Sequence, residues 1–380
     1  MLVIFVMEFF ILNPTYVWFD FKLQLRLGIN TSSKSSFTLS YGTLFLLHKY
    51  LPFKIMFKFS TRFLLIPLVL AVLSCSEPEQ KNEAINISVL EFGTVNWTLQ
   101  TIKRNQLDEE NGFSLNIQPL ASTQATKIAL QAGATHIIVA DWVWTIGQRA
   151  NGFHYQFAPY SSSAGALMVP AESAIHSTND LIGKKLGIAG GGLDKNWLFL
   201  KALSNQSNND LDQQVEKVFG APPLLNNLAQ QRKVDALINY WHYSARLEAQ
   251  GFRKLLDTHD ILDLLGIKKN IPILGFVFNR SWGKKHAETV KKFLEASRQA
   301  ANLICSSDKD WQATLPLTKT TDPNTQNLLR AGYCKGRIAS WGGAEKTAIK
   351  KAYTVLSETS EDKLVRTVEP IPADVFWSHD

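Results

Sequence analysis

Residues 115–140 read LNIQPLASTQATKIALQAGATHIIVA and contain two strands with a helix between them. Leu115–Leu120 alternates apolar and polar residues, which is typical of a half-buried strand. Ser122–Ala132 has helical spacing, and His136–Ala140 is a short run rich in β-branched residues. A strand, a helix and a strand in this order predict two parallel strands with the helix packed on one face of the sheet.

The alternation of strands and helices continues on both sides of this stretch. Upstream, Ile87–Phe92 reads as a strand and Leu99–Leu107 as a helix. Downstream, the predicted elements are the strands Ala166–Val169 and Lys185–Ala189, a helix from Lys195 to Leu203, the end of a helix at Ala229–Gln231, the strands Val234–Ile238 and Ile273–Phe278, and the helices Ala287–Ile304 and Lys346–Glu358.

This order predicts an α/β protein with two lobes, each built on a parallel sheet. We assign residues 85–163 and 275–380 to lobe 1 and residues 164–274 to lobe 2. Two hinge crossings, near residues 161–165 and 274–278, would join the lobes into a clamshell. A small ligand is expected in the cleft between the lobes.

An apolar run near the start of the chain has the length of an export signal. Phe63–Leu73 contains eleven residues, which is too few to cross a bilayer but suits the apolar region of a leader peptide. Ser74 and Cys75 follow, and this ending resembles the lipobox of bacterial lipoproteins, whose cysteine is lipidated and whose leader is removed. The resemblance implies a membrane anchor of acyl chains, such as palmitate, on Cys75. The alternative is a buried cysteine at the end of a hydrophobic helix.

The segment before this run needs its own interpretation. Met56–Arg62 carries two positive charges and directly precedes the apolar run, as the first part of a signal peptide does. We therefore interpret residues 56–74 as a lipoprotein signal peptide and residues 75–84 as a polar tether. Residues 1–55 are then either a non-native upstream segment read as protein or a disordered extension. An uncleaved N-terminal anchor is the alternative.

The basic character of the chain comes mainly from this leader. The chain has 40 Lys and Arg against 33 Asp and Glu, a formal net charge of +7. Residues 1–74 hold seven of the basic and two of the acidic residues, which leaves 33 against 31, a net charge of +2. No basic run is interleaved with aromatic residues, and we therefore expect no nucleic-acid partner.

Besides Cys75, the chain contains only two cysteines, Cys305 and Cys334. In an oxidising compartment these two thiols either pair as a disulfide or remain two separate buried thiols. Neither the cysteines nor any cluster of Asp, Glu and His has the spacing of a metal site. We expect no bound metal and no cofactor.

Polar and aromatic residues follow the predicted strands, where loops enter helices and where ligands bind in sheets of this kind. The glycines before Asp194 let backbone amides approach a ligand, but they form no nucleotide-binding fingerprint. Helix capping is the alternative role for Ser122 or Thr123, for Asp141 and for Asp194, and some of the aromatic rings will belong to the core. The candidate ligand-binding residues are Trp97, Ser122, Thr123, Gln124, Asp141, Trp142, Gly191, Gly192, Asp194, Asn196, Trp197, Asn239, Tyr240 and Trp241.

Four segments, in order within residues 85–300, resemble those of NitT/TauT-type (SsuA- and ThiY-like) substrate-binding proteins of ABC transporters. They are Gly112–Ile117, Lys127–Gly133, Ser173–Ala189 and Gln231–Ala236. Arg232 stands where that family usually has glycine. The resemblance implies a periplasmic-binding-protein clamshell of type II, a small-molecule ligand and an ABC transporter permease as partner.

These features predict a lipid-anchored periplasmic protein without enzymatic activity that captures a small organic ligand for an ABC importer by hinge closure. One alternative is a periplasmic ligand-binding sensor or adaptor, since Phe219–Asn226 resembles a subgroup linked to quinoprotein alcohol oxidation. Another is an enzyme on the same fold, although no catalytic triad or pair of carboxylates stands out. Taurine, nitrate, a pyrimidine, an alcohol-pathway metabolite and a metal chelate all remain open as ligands.

Overall fold

The computed structural model describes residues 2–13, 16–26, 37–40, 82–360 and 370–378. The chain divides into two compact units, Met1–Gln80 and Lys81–Asp380. The described part of the first unit is an antiparallel sheet of β1 (Leu2–Asn13), β2 (Tyr16–Arg26) and β3 (Phe37–Ser40), in that order. Cys75 and the predicted signal peptide lie outside the described residues.

The second unit contains two five-stranded sheets. Their strands are β4 (Glu83–Leu90), β5 (Phe113–Leu120), β6 (Ile137–Asp141), β7 (Tyr155–Ser161), β8 (Gly165–Val169), β9 (Lys185–Ala189), β10 (Glu216–Gly220), β11 (Ala236–Tyr240), β12 (Arg253–Asp257) and β13 (Leu274–Asn279). The strand order is β5-β4-β6-β13-β7 in the sheet of lobe 1 and β10-β9-β11-β8-β12 in the sheet of lobe 2. The chain passes to lobe 2 after β7 and returns at β13.

Helices cover the faces of both sheets. They are α1 (Val95–Arg104), α2 (Leu107–Glu110), α3 (Thr123–Gln131), α4 (Trp142–Gly147), α5 (Lys195–Gln206), α6 (Leu211–Gln214), α7 (Pro222–Gln230), α8 (Trp241–Ala249), α9 (Thr258–Leu264), α10 (Arg280–Lys285), α11 (Ala287–Ser306), α12 (Asp308–Thr318), α13 (Pro323–Lys335) and α14 (Gly343–Thr359). Among the described residues, no helix is long and apolar enough to span a bilayer.

The two-lobed α/β fold expected from the sequence is confirmed, although its sheets are mixed and not wholly parallel. In lobe 1, β4 runs parallel to β5 and β6, whereas β13 is antiparallel to both β6 and β7. In lobe 2, β9 is parallel to β10 and β11, whereas β8 is antiparallel to β11 and β12. The reversal follows from the crossings, because β13 re-enters lobe 1 with Leu274 beside Asp141, at the carboxyl end of β6.

The C-terminal helices contact both lobes. Helix α13 packs against α8 of lobe 2 and against α11 of lobe 1, and α14 packs against α5 of lobe 2. One apolar cluster therefore includes Trp142 of lobe 1, Trp197 of lobe 2 and Tyr353 of α14. Burying these large side chains together stabilises the arrangement of the two lobes.

A disulfide ties α11 to α13. Cys305 and Cys334 are bonded, with their Cα atoms 5.7 Å apart. The bond holds together the two ends of a segment that includes α12 and most of α13. Cys334 lies in the part of α13 that packs near the hinge.

The loop before β11 accounts for the departure from the family pattern at Arg232. Arg232 has a φ of +59°, in the left-handed region that favours glycine. Its side chain forms an ion pair with Glu172. The chain therefore keeps the backbone conformation for which glycine is usual, at a conformational cost of about 1 kcal/mol.

Candidate functional site

Charged groups from both lobes meet between the sheets. Asp141 ends β6 in lobe 1, and Lys195 is the first residue of α5 in lobe 2. The Lys195 Nζ donates to Asp141 Oδ2 at 3.1 Å, and the two side chains are 19% and 13% exposed. The ion pair therefore bridges the lobes at the carboxyl ends of the parallel strands, the position at which sheets of this kind bind ligands.

Asp141 is held in its charged form. Its Oδ1 accepts a hydrogen bond from the Trp144 amide at 2.8 Å, which caps α4. Burial acts to raise the pKa of Asp141, but the positive charges of Lys195 and Lys127 outweigh it and the pKa lies below its ordinary value. Burial likewise opposes the charge on Lys195, yet Asp141 and Asp194 raise the pKa of this amine.

A second cation stands beside this pair. The Lys127 Nζ of α3 lies 5.2 Å from the centre of the Trp144 ring, a cation–π distance. Burial lowers the pKa of Lys127, and the neighbouring Lys195 lowers it further, against the attraction of Asp141. Lys127 and Lys195 both lie near Asp141, so two amines act on this one carboxylate.

On the lobe 2 side, Asp194 and Tyr240 converge over Gly190. Gly190 has a φ of +82°, and a Cβ there would lie 2.9 Å from Asp194 Oδ2 and 3.0 Å from the Tyr240 hydroxyl. Burial raises the pKa of Asp194, and burial together with the Asp194 charge raises the pKa of Tyr240. A glycine is required at position 190 both by the backbone and by these two side chains.

Aromatic rings close another part of the space between the lobes. Trp97 of lobe 1 packs edge-on against Trp241 of lobe 2, with ring centres 6.1 Å apart. Trp311 and Tyr333 extend the same cluster, with ring centres 5.9 and 5.6 Å from that of Trp97. Trp97 and Trp241, both candidates for ligand binding, therefore contact each other directly.

Four further candidates have structural partners that account for them. Trp142 and Trp197 are buried in the core, and the Trp142 Nε1 donates to the Pro272 carbonyl at 2.9 Å. Asn196 bonds Asp194 and accepts from the Thr258 hydroxyl. Asn239 is fully buried, and its Nδ2 donates to the Pro222 carbonyl and to Asn226. These side chains shape the lobes around the site.

The remaining candidates lie at the edge of this region. Ser122 caps α3 by accepting from the Ala125 amide at 3.1 Å, and Thr123 and Gln124 are exposed. Gly191 and Gly192 form the turn that leads to Asp194, whose amide donates to the Gly191 carbonyl at 3.0 Å. Of the predicted set, Asp141, Asp194 and Tyr240 are the ionisable residues whose side chains interact with Lys195.

Sequence reasoning missed Lys127, Trp144 and Lys195. Lys195 lies between two predicted residues, Asp194 and Asn196, and its position at the start of a helix is the signal that points to it. Lys127 lies in a helix that the sequence predicts, but no periodicity indicates which of its residues faces the other lobe.

His242 is a further polar group in the same region. Both of its ring nitrogens are buried and have no hydrogen-bond partner among the described residues. Burial, aided by the charge of Arg246, lowers its pKa to about 3, so the ring is neutral at physiological pH. Its ring centre lies 5.6 Å from that of Trp241. A neutral imidazole with two unused hydrogen-bonding atoms suits a polar ligand group or water.

The described residues contain no group of three or more His, Cys, Asp or Glu side chains placed to hold a metal ion. The site instead offers two amines, two carboxylates, a phenol and an imidazole. Lys127 lies in the middle of α3, and the other groups lie at strand ends and helix starts. Such groups bind a small polar molecule through charge-assisted hydrogen bonds.

Two solved structures with this architecture are described as sulfonate-binding proteins. SsuA of Xanthomonas axonopodis pv. citri, an alkanesulfonate-binding protein bound to MOPS, aligns with a TM-score of 0.59 at 15% identity over 78% of this chain and 99% of its own. The periplasmic aliphatic sulphonate-binding protein SsuA of Escherichia coli aligns with a TM-score of 0.59 at 18% identity over 75% and 94%. At these identities the similarity shows the fold.

A third neighbour is the CA3427 gene product of Candida albicans, described as having the generic periplasmic binding protein fold. It aligns with a TM-score of 0.52 at 10% identity over 77% of this chain and 92% of its own. Among curated proteins, no sequence matches this chain.

The sequence profile of one family covers lobe 2 and part of lobe 1. The NMT1/THI5-like profile matches residues 109–309, which is more than half of the chain and includes Asp141, Asp194, Lys195 and Tyr240. With the fold of the SsuA proteins, this match confirms the resemblance to NitT/TauT-type substrate-binding proteins. The chain is a member of the NMT1/THI5-like family.

Proposed function

We propose that this protein is an extracytoplasmic solute-binding protein of an ABC importer, and that it captures a small organic ligand between its lobes. The observation that carries the proposal is the ion pair between Asp141 and Lys195, which joins the lobes at the ends of their parallel strands. A ligand held by both sides contacts all of its partners only when the lobes are closed. Binding therefore shifts the open–closed equilibrium towards the closed state.

The charges of the site indicate the chemistry of the ligand. Lys195 and Lys127 can bind an acidic group, while Asp141 and Asp194 can bind an amine or a hydroxyl group. Trp144 adds a flat apolar surface on the lobe 1 side, and Tyr240 adds a phenol on the lobe 2 side. We propose that the ligand is a small polar organic molecule with at least one charged group. When it binds, contacts with the ligand replace the protein's own ion pairs.

The location and partners follow from the same proposal. A leader that ends at Cys75 would export the protein and attach it to a membrane by a lipid, and the tether would keep the lobes near an ABC permease. The sequence of Phe63–Cys75 and the family membership support this arrangement. Mass spectrometry of the exported protein tests it: the N-terminal peptide should begin at a lipidated Cys75.

The binding role is tested by a thermal-shift screen of small organic acids, amines and zwitterions. At least one compound should raise the melting temperature of the wild type, because a ligand that binds only the folded state stabilises it. Asp141→Asn keeps the oxygen that caps α4 but removes the charge that faces Lys195, and should abolish most of the shift. Asp263→Asn, an exposed carboxylate of α9, is the matched control and should retain it. An equal shift in all three proteins would rule out this site.

A further inference from the structure

A cavity of about 990 Å³ lies on lobe 1 beside the hinge crossings, away from the interlobe site. Its walls come from the end of β7, from α11, from the loop between α13 and α14, and from the C-terminal segment at Trp377. Tyr160 directly precedes the first crossing, and the Ser162 amide there donates to the Gly336 carbonyl of the α13–α14 loop at 2.9 Å. Its volume is at the upper end of the range for small-molecule sites.

The charge on the walls of this cavity has one sign. Among the described residues that line it, five are basic and none is Asp or Glu. The basic residues are Lys291, Arg298, Lys335, Arg337 and Lys346. Charges of one sign around one space repel each other, and an anion in that space would offset the repulsion.

Three of these cations have no carboxylate partner in the described chain. Arg298 pairs with Glu295, and Lys335 reaches Asp257 at 3.4 Å. Arg337 instead donates to the Asn302 side chain at 2.6 Å, and Lys346 lies 5.7 Å from the centre of the Trp341 ring. Among the described residues, Lys291 has neither a carboxylate partner nor a neutral partner of this type.

Aromatic side chains give the same cavity an apolar surface. Tyr160, Phe276, Trp341 and Trp377 line it. The Trp341 Nε1 is buried and has no hydrogen-bond acceptor among the described residues. An unsatisfied buried donor costs free energy, and an anionic oxygen of a ligand would satisfy it.

We propose that this cavity is a second ligand site, which takes a small organic polyanion with a flat apolar body. The unpaired lysines and Arg337 hold the acidic groups, and the indole and phenyl rings hold the body. This site is separate from the interlobe site, whose charges are of both signs and already paired. The proposal does not depend on the ligand of the interlobe site.

Isothermal titration calorimetry of the full chain with naphthalene-2,6-dicarboxylate tests the proposal. The double variant Lys291→Gln/Lys346→Gln should bind the dicarboxylate about tenfold more weakly than the wild type, because two charge-assisted contacts are lost. The matched control is Lys292→Gln/Lys350→Gln, which removes two exposed lysines of the same helices that do not line the cavity. The control should stay within about twofold of the wild type.

Three further arms complete the experiment. The uncharged naphthalene-2,6-dimethanol should bind at least about tenfold more weakly than the dicarboxylate. Trp341→Phe, which keeps an aromatic ring but removes the Nε1–H donor, should weaken binding by about threefold. Asp141→Asn should leave the affinity unchanged.

The proposal is overturned if the dicarboxylate does not bind, if the neutral compound binds as tightly, or if both lysine double variants have the same affinity. A parallel loss of affinity in Asp141→Asn would place the dicarboxylate in the interlobe site and would also overturn it.

Discussion

The interlobe site and the cavity beside the hinge differ in the way their charges are balanced. Between the lobes, Asp141 pairs with Lys195, and the neighbouring amine and carboxylate face groups of opposite sign. In the cavity, the lining charges are all positive among the described residues, and Arg337 relies on a neutral partner. A paired site holds the lobes together without a ligand, whereas a site of one sign becomes more stable only when an anion enters.

The largest effect that separates the two regions is expected from the disulfide. Cys334 lines the cavity, and the bond to Cys305 closes a loop with a sequence separation of 29. Changing both cysteines to alanine should lower the free energy of unfolding by about 3–4 kcal/mol, because the unfolded chain gains freedom. Urea unfolding of the oxidised wild type and of the double variant measures this difference.

The same variant also tests whether the two regions are independent. Loss of the disulfide should weaken binding of the dicarboxylate, because one wall of the cavity is no longer fixed. The free energy that the Asp141–Lys195 pair contributes to folding should stay the same. An unchanged unfolding midpoint would show that the disulfide does not constrain the chain in solution.

A smaller effect is expected at the turn that supports Asp194. Both Gly190 and Gly191 have positive φ, of +82° and +84°, but only a Cβ at Gly190 would meet other atoms. Each change to alanine should cost about 1–2 kcal/mol through the backbone conformation. Gly190→Ala should cost about 1 kcal/mol more, since it displaces Asp194 or Tyr240. The difference in unfolding free energy between the two variants, measured in urea, gives the cost of this crowding. Equal stabilities would argue against the convergence of Asp194 and Tyr240 over Gly190.

The charge of Asp141 gives the interlobe site a dependence on pH. Because its pKa in the folded protein is below the ordinary value of 3.8, its charge stabilises the fold above that pH, and this contribution is lost as the pH falls through the lowered pKa. Asp141→Asn should therefore be about 1–3 kcal/mol less stable than the wild type at neutral pH. The difference should shrink towards zero near the acid end of the titration. Urea midpoints measured at several pH values follow it, and a difference independent of pH would contradict the ionic role.

The smallest effect is expected from removing a single cation in the cavity. Lys291→Gln should leave the free energy of unfolding within about 0.5 kcal/mol of the wild type, because the lost charge has no described partner and its neighbours repel it. Lys195→Gln should instead cost about 1–3 kcal/mol, because it leaves Asp141 without its partner in a largely buried position. If the two substitutions have equal costs, the contrast between the regions is wrong.

Much of the fold can be predicted from the sequence, because strands and helices differ in the spacing of their apolar residues. The strands Lys185–Ala189 and Leu274–Asn279 lie at or within one residue of the expected positions. The patterns do not indicate β7, β10 and β12. Each of these strands lies at the edge of a sheet. Their side chains do not alternate regularly between buried and exposed, and only the first half of β7 is buried.

The site is harder to predict, because sequence order places a residue after a strand but does not determine the direction of its side chain. Trp142 and Trp197 follow strands as ligand-binding rings do, yet both turn into the core that joins the lobes. Asp141 and Asp194 are both candidates from the sequence, but their partners, Lys127 and Lys195, become apparent only when the two lobes are brought together. The cationic cavity collects residues from distant segments of the chain, and no local pattern indicates it.

The central claim, that a small molecule binds between the lobes, is tested most directly by native mass spectrometry. The wild type, incubated with the compound that gives the largest thermal shift, should retain one molecule per chain, as should the control Asp263→Asn. The double variant Asp141→Asn/Lys195→Gln should lose it, because both charged sides of the site are neutralised. Retention of the same molecule by the double variant at the wild-type level would contradict the account.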